Sequence, residues 1–128
     1  MSQPPRRIVI EIEVETAYLP EHSDPQVPRY AFSYTITIRN RGAVSATLLT
    51  RHWIITDANG KVREVSGDGV IGDQPSIAPG EAHRYSSGTV FETPVGVMEG
   101  RYGMITADGL HFPAPIPAFR LAVPGILH

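Results

Sequence analysis

Glycine and proline interrupt this sequence almost from end to end, twelve of each in 128 residues. That spacing limits the fold more than any other feature. In a helix interior proline costs about 3 kcal/mol and glycine about 1 kcal/mol relative to alanine, so long helices have little room. The intervals 29–41 and 43–59 are among the few that carry neither residue for more than a dozen positions. What fills the gaps is period-two alternation. Ile8, Ile10, Ile12 and Val14 alternate with Val9, Glu11, Glu13 and Glu15. Tyr30, Phe32, Tyr34, Ile36 and Ile38 alternate with Ala31, Ser33, Thr35, Thr37 and Arg39. Side chains at i and i+2 of a strand share a face, so both segments predict strands with one apolar and one wetter side.

A third strand is expected from Ala46 to Thr56, with Leu49, Trp53 and Ile55 on one face. It turns through Asp57-Ala58-Asn59-Gly60 and returns over Lys61–Val65, since Asn-Gly adopts positive φ at little cost. Ser76-Ile77 is a short apolar segment between Gly- and Pro-rich stretches, and Pro79-Gly80 is a further turn. More strands are expected at His83–Phe91, on both sides of the Ala107-Asp108-Gly109 hairpin, and at Phe119–Val123. About eight short strands with frequent turns predict an all-β fold, a two-sheet antiparallel β-sandwich of the immunoglobulin or fibronectin type III kind. One domain spanning 1–128 accounts for the length. Residues 1–7 are expected to be a flexible N-terminal arm and 20–28 an exposed loop. Tyr34, Ile36, Trp53, Ile55, Tyr102 and Phe119 are the expected core. Tyr102 reads either as a corner tyrosine at a strand entrance, its hydroxyl bonded to nearby backbone, or as a plain core aromatic.

Composition removes several classes of function. A net charge of -2 and a pI near 6.2 provide no field for nucleic acid or an anionic membrane. Without cysteine there is no thiol nucleophile, thiolate zinc site, iron–sulfur cluster or disulfide. No apolar run approaches the ~20 residues of a membrane-spanning helix. Arg6-Arg7 looks like a twin-arginine signal, but Glu11, Glu13 and Glu15 follow where an apolar core would be needed. The expected compartment is the cytoplasm.

Catalytic patterns are absent. The five histidines, His22, His52, His83, His111 and His128, show no metal-ligand spacing, and no metal or cofactor is expected. Ser86-Ser87-Gly88 lacks the G-x-S-x-G spacing of a nucleophile elbow. Gly67-Asp68-Gly69-Val70-Ile71-Gly72 matches G-x-G-x-x-G, whose third glycine opens a phosphate-binding helix in dinucleotide folds. Here Pro75 and Pro79 leave no room for that helix, and Asp68 and Asp73 would repel phosphate. The glycines are better read as a bulge or wide turn. Val70 and Ile71 then stand at a loop tip, where they either plug the end of the sandwich or form an apolar patch bordered by Arg51 and His52. The candidate binding residues are therefore Gly67, Asp68, Gly69, Val70, Ile71, Gly72, Arg51 and His52.

One ordered string runs through nearly the whole chain. It comprises Leu49-x-Arg51-His52-Trp53-x-Ile55, Gly67-x-Gly69-Val70-x-Gly72-x-Gln74-Pro75, Pro79-Gly80-Glu81, Tyr85-x-Ser87-Gly88, Gly96-x-Met98-x-Gly100-x-Tyr102 and Ile116-Pro117-x-Phe119-x-Leu121. It resembles the ApaG family of bacterial proteins. The resemblance implies an immunoglobulin or fibronectin type III-like sandwich. Related domains in eukaryotic F-box proteins and in a DNA-polymerase-delta-interacting protein look like interaction modules. That implies a non-enzymatic role in binding a protein partner, unidentified from sequence. Nucleotide or dinucleoside polyphosphate binding at the glycine loop is one alternative, and an accessory role in cobalt and magnesium tolerance is another implied by the family.

Overall fold

The computed structural model describes residues 7–126. Its elements are β1 (Ile10–Tyr18), one 3-10 turn (Pro20–His22), β2 (Tyr30–Asn40), β3 (Ala46–Asp57), β4 (Val62–Asp68), β5 (Ser76–Ile77), β6 (Ala82–Phe91), β7 (Val95–Thr106) and β8 (His111–Ala122). The strands form two antiparallel sheets, one ordered β1-β2-β6 and the other β4-β3-β7-β8, with β5 also paired to β3. The architecture is the expected immunoglobulin or fibronectin type III-like sandwich. The alternating residues of β2 explain why: Phe32, Tyr34, Ile36 and Ile38 are buried, while Ser33, Thr35 and Thr37 face out. Opposite them, Trp53, Ile55, Met98, Tyr102, Met104, Ile116 and Leu121 form the other half of the core. Trp53 meets Tyr34, Phe119 and Tyr102 edge-on, with centroids 5.5, 5.9 and 6.5 Å away, a geometry that suits aromatic quadrupoles. Of the expected core only Phe119 is partly exposed.

Four expectations need correction. On β3 the buried leucine is Leu48, not Leu49. A bulge at this point shifts the register with β7 between Leu48 and Thr50, so the strand changes parity before Trp53. Tyr102 is no corner tyrosine: it sits within β7, and its hydroxyl bonds the hydroxyl of Tyr85 across the sandwich. The end of the chain is not a short strand at Phe119–Val123 but twelve residues of β8 that include Pro113, Pro115 and Pro117. An edge strand tolerates such prolines because every second amide points away from its neighbour. Finally, Arg7 is no free arm. Its carbonyl accepts the Ala43 amide at 3.0 Å and its guanidinium pairs with Asp108. Residues 1–6 of the expected arm lie outside the described residues.

Candidate functional site

The two sheets meet on one side, where β1 packs along β8. On the other side the edge strands β6 and β4 leave the sandwich open. Arg63 of β4 reaches over this opening, donating from Nη2 to Thr89 Oγ1 at 3.3 Å and to the Val90 carbonyl at 3.2 Å. Two cavities of about 280 and 430 Å³ lie along it, and Tyr34, Arg51, Trp53 and Ser87 line both. The smaller one also meets Tyr85, Asp68 and the Val70–Gly72 turn.

The glycine motif shapes the upper end of this opening without a helix. Gly67 lies in β4 opposite Arg51. A Cβ there would sit 2.8 Å from the Arg51 guanidinium, so the missing side chain makes room for arginine. Gly69 has φ 62° and leaves no space for a Cβ against the Asp73 carbonyl. Val70 and Asp73 exchange amide–carbonyl bonds of 2.8 and 3.0 Å around Ile71 and Gly72, whose φ values are 48° and 78°. That is a two-residue turn with positive φ at both central positions. The Leu49 carbonyl, turned outward at the bulge, accepts the Gly69 amide at 2.8 Å and Gln74 Nε2 at 3.0 Å. The amides of Gly69, Val70 and Asp73 are thus bonded inside the protein, and the chain continues into β5 instead of a helix.

The expected tip pair is split. Val70 is buried at 1% exposure and is a plug, not a contact residue. Ile71 is 63% exposed and is the one non-glycine residue with positive φ among the described residues. Arg51 and His52 are also separated, because successive strand residues point to opposite faces. Arg51 lies inside the opening, half-buried, with Nη1 donating to the Asp68 and Gly69 carbonyls at 2.9 and 3.0 Å. It pairs with no carboxylate among the described residues.

Across the opening, Tyr85 and Tyr102 share a hydroxyl–hydroxyl bond. Burial pushes the Tyr85 hydroxyl up to about 12, and burial beside Tyr85 raises Tyr102 as well, so both stay protonated at neutral pH. Tyr102 is fully buried and has no other hydrogen-bond partner among the described residues. Its proton must therefore go to Tyr85, since a buried donor left unpaired is costly. That leaves the Tyr85 O–H free to donate toward the cavity it lines. Sequence reading did not find this pair; the only signal is a polar-tipped aromatic on the inner-facing register of each strand.

His52 belongs to the outer face of the larger sheet. Its Nε2 meets Glu64 Oε1 and its Nδ1 meets Ser66 Oγ, both at 3.0 Å. A cavity of about 610 Å³ beside them is lined also by Thr50, Arg101, Gly103 and His111. A serine–histidine–carboxylate contact can suggest nucleophilic chemistry. Here Ser66 and Glu64 are exposed on one strand, in water rather than in the screened, donor-lined setting that such chemistry needs. The trio acts as a cross-strand polar ladder. Among the described residues no three His, Cys, Asp or Glu side chains converge to hold a metal ion, and no helix is long and apolar enough to cross a membrane.

The family model described as the ApaG domain matches residues 20–106. The protein ApaG of Pseudomonas paraeruginosa is 60% identical over 119 residues, 93% of this chain and 94% of that protein. The protein ApaG of Ectopseudomonas mendocina is 58% identical over the full length of both. Among solved structures, the Bordetella pertussis protein described as ApaA superposes with a TM-score of 0.93 at 43% identity, covering 96% of this chain and 100% of its own. An X-ray structure from the Northeast Structural Genomics Consortium does so with a TM-score of 0.88 at 56% identity, covering 93% and 90%.

Proposed function

This chain belongs to the ApaG family, and on that premise we propose that it is a non-catalytic module that binds a protein partner through the Ile71 turn and the open side of the sandwich beneath it. The observation that carries this reading is Ile71 itself. A β-branched residue with φ 48° is strained, and its side chain is 63% exposed, so folding gains little from it. Glycine or asparagine would close the same turn at lower cost. An exposed apolar side chain at a loop tip, beside a cavity that the half-buried Arg51 lines, has the composition of a contact hot spot.

The test is Ile71→Asn. The variant should melt at the same or a higher temperature and lose the partner that the parent chain captures from a cell lysate. Undiminished capture by the folded variant would contradict the reading. Nucleotide binding at the glycine motif is disfavoured by the internally bonded amides of Gly69, Val70 and Asp73. A role in cobalt or magnesium tolerance would run through the partner.

A further inference from the structure

Resting on that reading, we infer that the Arg51 cavity is a recognition point for a carboxylate side chain, Asp or Glu, carried by an extended segment of the protein partner. Arg51 is a half-buried cation held in place from behind. One of its nitrogens is fixed on the carbonyls of Asp68 and Gly69, and Gly67 leaves room for the guanidinium. Neutral carbonyls position the charge but do not neutralise it. Arg51 lines the same cavity as Tyr85 and Ser87. With Tyr102 as the donor, the arrangement that leaves no buried proton unpaired, the Tyr85 O–H is available. A half-buried guanidinium with two hydroxyl-bearing residues in the same cavity complements an anion, and charge-assisted bonds there are the strong kind.

The size of that anion follows from its surroundings. Among the described residues Arg51 is the one cationic side chain lining the smaller cavity, and Asp68 lines it too. A single positive charge with a carboxylate on the same wall gives too little field for a phosphate dianion, and the Arg51 guanidinium, which Asp68 does not pair, can take one carboxylate through charge-assisted bonds. The opening is also elongated: the two cavities run between the edges of β4 and β6, the larger one bridged by Arg63 at its far end and lined by Val65, Gly88, Thr89 and Val90. A strand-like segment lies naturally against such edges, its carboxylate at Arg51 and the residues two positions to either side facing the same way, one of them toward the exposed Ile71.

The test is a titration of the full chain, followed through backbone amides and the Arg51 Nε–H. The probes are the blocked peptide acetyl-Val-Thr-Glu-Thr-Val-amide, its Gln counterpart and inorganic phosphate. The Glu peptide should give saturable shifts at residues 67–73 and 85–88, and the Gln peptide should bind roughly tenfold more weakly. Arg51→Met should erase that difference. Should Arg51→Met fail to fold, Gly67→Ala carries the same test, since its methyl group displaces the guanidinium and should bring the Glu peptide down toward the Gln peptide. Equal binding of the two peptides would overturn the inference. So would phosphate shifts matching those of the Glu peptide, which indicate a small-anion site, or shifts produced by raising protein concentration alone, which indicate a second copy. The inference and the function beneath it fail separately. Partner capture that Ile71→Asn abolishes and Arg51→Met leaves intact removes the carboxylate site but keeps the binding surface.

Discussion

Gly67 and Gly100 fail differently when given a methyl group. At Gly67 the new Cβ meets the far end of the Arg51 side chain, 2.8 Å away, and that end can swing aside. Gly67→Ala should cost under about 1 kcal/mol, the range of most tolerated substitutions, while moving the guanidinium out of its cavity. At Gly100 the Cβ runs into the His52 carbonyl, which is backbone of the adjacent strand. Gly100→Ala should cost about 1–3 kcal/mol or more, as overpacking does. Urea denaturation of the two variants checks the contrast, and equal losses would mean that Arg51 is as rigid as the sheet. Ile71→Asn belongs to the same scale, with a stability gain of about 1 kcal/mol from relieving the left-handed strain. Residue placement was only partly legible. The separation of Arg51 from His52 is present in the sequence, since neighbours in a strand face opposite ways. The burial of Val70 beside the exposure of Ile71 is not. It depends on a turn fixed by bonds between residues 70 and 73 and by the Leu49 carbonyl, and nothing in local alternation reports that bulge.

At the scale of elements, β1 to β4 and β6 were legible because alternation and turn residues agree there. The Asp57–Gly60 turn closes as expected, with Asp57 Oδ1 accepting the amides of Asn59 and Lys61 at 2.9 Å each and Gly60 at φ 81°. β7 and β8 were not legible at their full length. Gly96, Gly100 and Gly103 break the apolar rhythm of β7, yet each gives up a side chain where a neighbour needs the space: the Phe91 ring, the His52 carbonyl and the Thr50 side chain. On β8 the three prolines argue against a strand unless it is known to lie at an edge. Strand order is tertiary information, so the prolines could be interpreted only after the sheet was assembled.

For the whole molecule, the Tyr85–Tyr102 bond ties β6 of one sheet to β7 of the other through the core. Burial of these hydroxyls also sets an upper pH limit. Tyr85 is held near 12 in the folded chain, above its ordinary value of 10, mainly by burial. A raised pKa stabilises the fold fully below the unfolded value and loses that contribution as pH rises through the folded value. The melting temperature should therefore stay level from neutral pH to about 10 and fall between about 10 and 12. In the Tyr85→Phe, Tyr102→Phe double variant that fall should be shallower. A decline beginning near pH 8 would contradict the assignment. This sandwich closes one side with β1 against β8 and leaves the other open, and the proposed function depends on that asymmetry. Hydrogen exchange of the chain alone and of the chain holding its captured partner measures it most directly. The account predicts that the partner slows exchange at residues 67–73 and 84–88. Protection confined to β1 and β8, or to the outer face around His52 and Arg101, with residues 67–73 unchanged, would contradict it.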